Sequence, residues 1–172
     1  ARASGVRMVI SHHKATGGYF CWNKTAATLS IMDRMVEQGY DVFCDQYPYT
    51  ASATGLKTNI PDSMHVLGVD KLVEMLTTDE GRAELRKIIV GDRDSFDRFQ
   101  YTMIGNSVSR PDYAGRMLND IAREEGRDPY DVHCDLLRDD RLSTGGIFHT
   151  MSEEDVERVM QWPRAMVGTD GS

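Results

Sequence analysis

At 172 residues, with 40% apolar and 27% charged side chains, the chain is long enough to bury one sizeable core. A formal charge of −7 gives no electrostatic reason for a nucleic-acid partner, no run is long or apolar enough to cross a bilayer, and the first residues carry no signal-peptide pattern, so a soluble, cytoplasmic protein is expected. The three cysteines, Cys21, Cys44 and Cys134, are odd in number and lack CxxC spacing; each is expected to be a reduced, small apolar side chain rather than half of a disulfide or a thiolate zinc ligand.

The apolar run Val6 to Ile10 predicts a strand, and Ser11-His12-His13-Lys14 follows it directly. Side chains alternate across a strand, so Met8, Ile10, His12 and Lys14 share one side and His13 points to the other. Only one of the two histidines then faces a site beyond the strand; the plainer alternative is that both are solvated loop residues. A glycine-containing loop, 15–23, leads to a predicted helix over 24–38, where Ala27, Ile31 and Met35 recur at four-residue spacing, Leu29, Met32 and Val36 widen the stripe and Gly39 provides the stop. Residues 41–45 predict a second strand, left through Gln46-Tyr47-Pro48-Tyr49. Strand, helix, strand is a parallel crossover, which brings both strand ends to one edge of a sheet.

From Thr50 to about Thr150 the rhythm changes. Residues 50–55 are small and polar, a loop, and Ile60-Pro61-Asp62 marks a turn. Helices are predicted over 69–76 with Leu72, Val73 and Leu76 inward, and from an Asp79 N-cap to about Ile89 with Leu85 and Ile88 inward. A strand at 100–104 precedes a helix over 117–125 stopped by Gly126. Asp128-Pro129 then gives the N-cap and first position of a helix to Arg138, and 145–149 form a strand. This block predicts a small α+β module inserted between two barrel-type segments, with residues 1–53 and 151–172 as the segments and 54–150 as the module.

In the tail, Ser152-Glu153-Glu154-Asp155 resembles a capping box with Asp in the acidic place, and Val156, Val159 and Met160 predict a helix closed before Pro163. Residues 165–168 form a strand, and Asp170 stands two residues beyond it. A chain that opens just ahead of one strand and closes just after another is expected to be a piece of a longer protein. Histidine, tyrosine and aspartate thus lie past three strands of like direction, where an α/β barrel carries its catalytic groups. A histidine and a carboxylate on neighbouring strand ends suit zinc or a similar divalent cation, the carboxylate ligating or serving as proton acceptor; two such residues alone do not make a site.

Ser11-His12-His13-Lys14, Asp45-Gln46-Tyr47-Pro48-Tyr49, Met151 to Val156 and Val167-Gly168-Thr169-Asp170-Gly171, in this order and with an insert between the second and third, resemble motifs of the N-acyl-D-amino-acid deacylases, the D-aminoacylase branch of the amidohydrolase superfamily. The resemblance implies α/β architecture: strands six to eight of a (β/α)8 barrel with an inserted small α+β module. It implies a zinc-dependent hydrolase of N-acyl-D-amino acids, N-acyl-D-glutamate among them, with His12 as a metal ligand, Lys14 and Tyr47 binding the substrate carboxylate, and Asp170 as general base in contact with the metal. The remaining ligands would come from the rest of the parent chain, its partner in the active enzyme, so this piece alone is expected to be inactive. Cys21 and Cys44 match no ligand motif. His65, His133 and His149 are expected to be structural or exposed, while Arg110 and Arg116 are candidates to reach an acidic substrate. Two rival expectations are a non-catalytic cover or interaction module built on the insert, and an amidohydrolase acting on a cyclic amide such as dihydroorotate.

Overall fold

The computed structural model describes residues 5–170. Strand β1 (Met8–Ile10) ends in a turn at Ser11 and His12, and a loop leads to α1 (Thr25–Glu37) and β2 (Val42–Gln46). The middle of the chain forms β3 (Ser52–Gly55), the single-turn α2 (Asp62–His65), α3 (Val69–Thr77), α4 (Asp79–Ile89) and the short α5 (Ser95–Phe99). It continues through β4 (Thr102–Asn106), α6 (Leu118–Glu125), α7 (Pro129–Asp139) and β5 (Gly145–Phe148), and the chain closes with α8 (Glu153–Met160) and β6 (Ala165–Val167). These elements cluster into two compact units, one made of the residues up to Ala51 and from Thr150 onward, the other Ser52–His149.

The first unit is a parallel sheet in the order β1-β2-β6, with Ile10 opposite Cys44 and Cys44 opposite Ala165. One face of β2 is fully covered: Val42 and Cys44 are solvent-inaccessible and pack with Leu29 and Met32 of α1 and with Val159 and Trp162 at the end of α8. Burial pushes the Cys44 thiol up to about 11, as expected for an inert core cysteine. On the opposite face, Val9 is 47% and Met166 46% exposed, beside Phe43 and Asp45. The helix reading of the tail is observed with one change: Met160 turns outward, leaving Val156 and Val159 as the buried stripe.

The capping signal at Ser152 divides its labour. Ser152 Oγ accepts the Asp155 N–H at 3.2 Å, but the Asp155 carboxylate runs to the start of α1, accepting from the N–H groups of Asn23 (2.6 Å) and Thr25 (3.3 Å), from the Thr25 hydroxyl and from Arg158 (2.8 Å).

The second unit is an antiparallel sheet, β3-β5-β4, covered by helices α3 to α7. Its core gathers Leu56, Leu72, Leu76, Leu85, Phe99, Ile104, Leu118 and Leu137. Three expectations change here and one helix is added. Residues 52–55 are a strand rather than loop, because pairing with β5 overrides a sequence of small residues that carries no apolar alternation. Thr78, not Asp79, caps α4, its side chain accepting the Gly81 N–H at 3.2 Å; Asp79 occupies the first helical position. The inward face of α4 is turned by one residue, so Ile89 is buried and Ile88 is 44% exposed. The helix Ser95–Phe99, capped by Asp94, was not read from the sequence. The Asp128-Pro129 start of α7 and the left-handed stop at Gly126 (φ 64°) are as expected.

Candidate active site at the parallel strand ends

In a regular parallel ladder the donors of β1 advance by two, so Met8 N–H bonding to the Asp41 carbonyl predicts the Asp45 carbonyl for His12 N–H. The structure departs from this. His13 N–H takes the Asp45 carbonyl at 2.8 Å, one residue has been inserted, and His12 adopts the left-handed conformation at φ 52°. The displaced His12 N–H donates to Asp45 Oδ1 at 2.7 Å, and Ser11 Oγ donates to Asp45 Oδ2 at 2.9 Å. The His12 N–H bond, with Ser11 assisting, holds the Asp45 carboxyl below its ordinary range.

The two histidines consequently part. His13 turns toward α1, its Nε2 2.9 Å from Thr28 Oγ1, and burial with the Lys14 charge lowers its pKa. His12 turns the other way, its Nε2 3.3 Å from Asp170 Oδ1 and its ring 5.8 Å from that of Tyr47. Strand alternation assigned the two histidines to different sides, but β1 has already ended at Ile10 and the bulge is what separates them. Asp170 is itself left-handed at φ 50°, three residues past β6; Gly171 of the same motif lies outside the described residues.

Tyr47 is 3% exposed, packed against Met151 and Val156, and its hydroxyl is buried with no hydrogen-bond partner among the described residues. Lys14 lies over the Tyr47 ring at 4.9 Å, with Nζ donating to the His12 carbonyl at 3.0 Å. The four residues singled out in the sequence, His12, Lys14, Tyr47 and Asp170, therefore form one connected group. Asp45 and Ser11 were not given roles, since the signal that would reveal them is a backbone bulge.

Arg110 and Arg116 flank the Tyr113 ring and are paired with Asp112, Glu125 and Glu124. His133 is completely buried against Phe99, and His65 Nε2 lies 3.1 Å from the Ile60 carbonyl oxygen.

A zinc ion with nitrogen and oxygen ligands at about 2.0–2.1 Å in tetrahedral array holds neighbouring donor atoms about 3.3 Å apart. The 3.3 Å between His12 Nε2 and Asp170 Oδ1 fits such a pair, and both side chains are about half exposed, open to a shared ion. Among the described residues no third His, Cys, Asp or Glu completes a metal-binding group, and no helix is long and apolar enough to cross a membrane.

The parallel strand ends thus bring together an imidazole, a carboxylate and a lysine–tyrosine pair. No family model matches the chain. Among curated proteins it is homologous over 99% of its length to an N-acyl-D-glutamate deacylase (30% identity over 173 residues) and a D-aminoacylase (27% over 170), both of Alcaligenes xylosoxydans xylosoxydans. It spans only 26% of the length of each. Among solved structures it matches N-acyl-D-glutamate deacylase from Bordetella bronchiseptica, complexed with zinc and a phosphonate mimic of the tetrahedral intermediate, at TM-score 0.62 and 30% identity. A D-aminoacylase studied for its binuclear metal centre matches at TM-score 0.62 and 28% identity. Each match covers 99% of this chain and 27% of the other.

Proposed function

We propose that the complete protein is a zinc-dependent hydrolase of N-acyl-D-amino acids, N-acyl-D-glutamate among them, and that this chain supplies part of its active site. The 3.3 Å approach of His12 Nε2 to Asp170 Oδ1, beside the partnerless phenol of Tyr47, carries the reading. In it, residues 1–53 and 151–172 are segments of a (β/α)8 barrel corresponding to strands six to eight, and 54–150 are the inserted module. The apolar residues left exposed on one face of the β1-β2-β6 sheet favour this, since parallel sheets are ordinarily covered on both faces.

When bound, zinc supplies Lewis-acid polarisation of the amide carbonyl and lowers the pKa of water at the site. His12 is one of its ligands, with the others contributed from outside this chain. Asp170 accepts the proton of the attacking water as the C–O bond forms and the carbonyl π bond opens, and returns it to the amine nitrogen as the carbonyl re-forms and the C–N bond breaks, so no net proton is lost. Lys14 and the Tyr47 hydroxyl hold the amino-acid carboxylate by charge-assisted hydrogen bonds, which fixes the acyl group over the metal side of the site.

The test is the full-length protein loaded with zinc and assayed on N-acetyl-D-glutamate, other N-acetyl-D-amino acids, their L-enantiomers and dihydroorotate. Turnover of D-substrates that falls about 10²–10⁴-fold in Asp170→Asn is expected, the range for loss of a general acid–base group. A full-length protein that carries no zinc and whose activity is left intact by His12→Ala would sink the zinc-hydrolase reading and favour the non-catalytic cover for this chain. Preference for dihydroorotate would transfer the site to cyclic amides. This chain alone, with zinc, should show no turnover.

A further inference from the structure

We propose that Asp45 is the positioning residue of the metal site: its carboxylate creates and holds the backbone bulge that aims His12 at Asp170. The inference rests on the reading of His12 as a ligand, and extends it to a residue that touches neither substrate nor metal. A left-handed backbone at a non-glycine residue is strained and persists only where its surroundings over-determine it. His12 is such a residue, and what holds it is local. Its N–H has lost the Asp45 carbonyl to His13 and is retrieved by Asp45 Oδ1 at 2.7 Å, while Ser11 Oγ occupies Oδ2 at 2.9 Å.

The carboxylate belongs to the middle strand of the three. Asp45 pairs with Met166 of β6 on one side, and its side chain reaches β1's end on the other. Near Gly168, where a Cβ would stand 3.8 Å from Asp45 Oδ1, the same side chain borders the turn that carries Asp170. One residue thus adjoins both strand ends whose side chains meet at 3.3 Å. An ordinary ladder at this point would give His12 N–H its regular carbonyl partner and direct the imidazole as a normal strand residue, displacing Nε2 from Asp170. The bulge needs an acceptor longer than a backbone carbonyl can reach, and one with two oxygens serves both Ser11 and His12.

The experiment uses the full-length protein and three readouts: zinc affinity by competition with a chelator, the visible spectrum of the cobalt-substituted protein, and steady-state kinetics. Asp45→Ala is expected to weaken metal binding about 10–100-fold, the usual range for losing the outer partner of a ligand, to alter the cobalt spectrum and to lower kcat. Asp45→Asn, which keeps an oxygen for His12 N–H, is expected to restore most of the affinity and the original spectrum, and Ser11→Ala to fall between. Should Asp45→Ala fail to fold, Asp45→Val, whose branched side chain suits a strand, is expected to show the same losses. Unchanged affinity and spectrum in either apolar variant overturns the proposal, and so does an Asn variant as impaired as Ala, which would make the charge rather than the hydrogen bond responsible. His12→Ala keeps the two levels apart: loss of metal there with none in Asp45→Ala rejects the positioning role alone, while retention of metal and activity in His12→Ala rejects the ligand reading beneath it.

Discussion

The phenol of Tyr47 is enclosed by Met151, Val156 and the Lys14 side chain, yet its hydroxyl meets no partner among the described residues. A buried polar group left so costs about 1–3 kcal/mol, and a hydrogen bond to a charged ligand returns about 1.5–3 kcal/mol. Tyr47→Phe should therefore leave the melting temperature equal or slightly higher, and raise KM for an N-acyl-D-amino acid about 10–150-fold with a smaller change in kcat. A lower melting temperature with unaltered KM would show the hydroxyl to be structural. Lys14 and Tyr47 were singled out in the sequence through the resemblance of their motifs, and the structure brings the two side chains together. Asp45 was given no role. Its role comes from an inserted backbone residue, and nothing in Ile10-Ser11-His12-His13 distinguishes a regular strand end from a bulged one.

Between elements, Asp155 ties the start of α8 to the start of α1. It is 2% exposed; burial would raise its carboxyl, but the Thr25 hydroxyl, the Asn23 N–H and Ser152 overrule it and hold the pKa low. Replacing it by Ala leaves two N–H groups at the start of α1 without their acceptor, while the one-third exposed Arg158 keeps Thr25 Oγ1 and Asn23 Oδ1, so Asp155→Ala should cost about 2–3 kcal/mol, as for buried donors left unsatisfied. Ser152→Ala, which loses one cap, should cost only about 1 kcal/mol in the same urea titration. Comparable losses would mean that the link to α1 contributes nothing beyond the cap. Thr78 gives a second comparison: Thr78→Ala should cost about 1 kcal/mol and Asp79→Ala distinctly less, since only Thr78 accepts the Gly81 N–H. Caps followed by acidic residues were legible as helix starts, but which of two adjacent candidates is the cap depends on a backbone turn of one residue. The same one-residue phase exchanged Ile88 for Ile89 in the core, and β3 stayed hidden because its pairing lies with residues 90 positions away.

Across the whole chain the parallel unit and the α+β block were legible as a change of rhythm, since strand–helix–strand patterns surround a block of short helices and turns, whereas the antiparallel sheet was not, its strand β3 reading as loop. Invisible in the pattern was the number of ionisable groups the fold buries, and this sets its response to acid. His133 is solvent-inaccessible beside Phe99 and Tyr130, and burial, helped by the Arg98 charge, lowers its pKa to about 3. The unfolded chain protonates the same imidazole near about 6.5, so between these values it binds a proton that the folded chain refuses. Its neutral burial is free of this penalty above pH 6.5 or so, and stability falls as pH drops toward 3. Asp140 adds a second loss at lower pH: burial would raise its carboxyl, yet Ser107, Ser109 and Thr144 hold it at about 2, a contribution present above about 3.8 and removed as pH falls through 2. Urea midpoints measured from pH 7 to 4 should therefore decline, and His133→Leu, whatever its stability at pH 7, should flatten the decline across pH 6.5 to 4. An equal slope in that variant would place the acid sensitivity in the carboxylates instead.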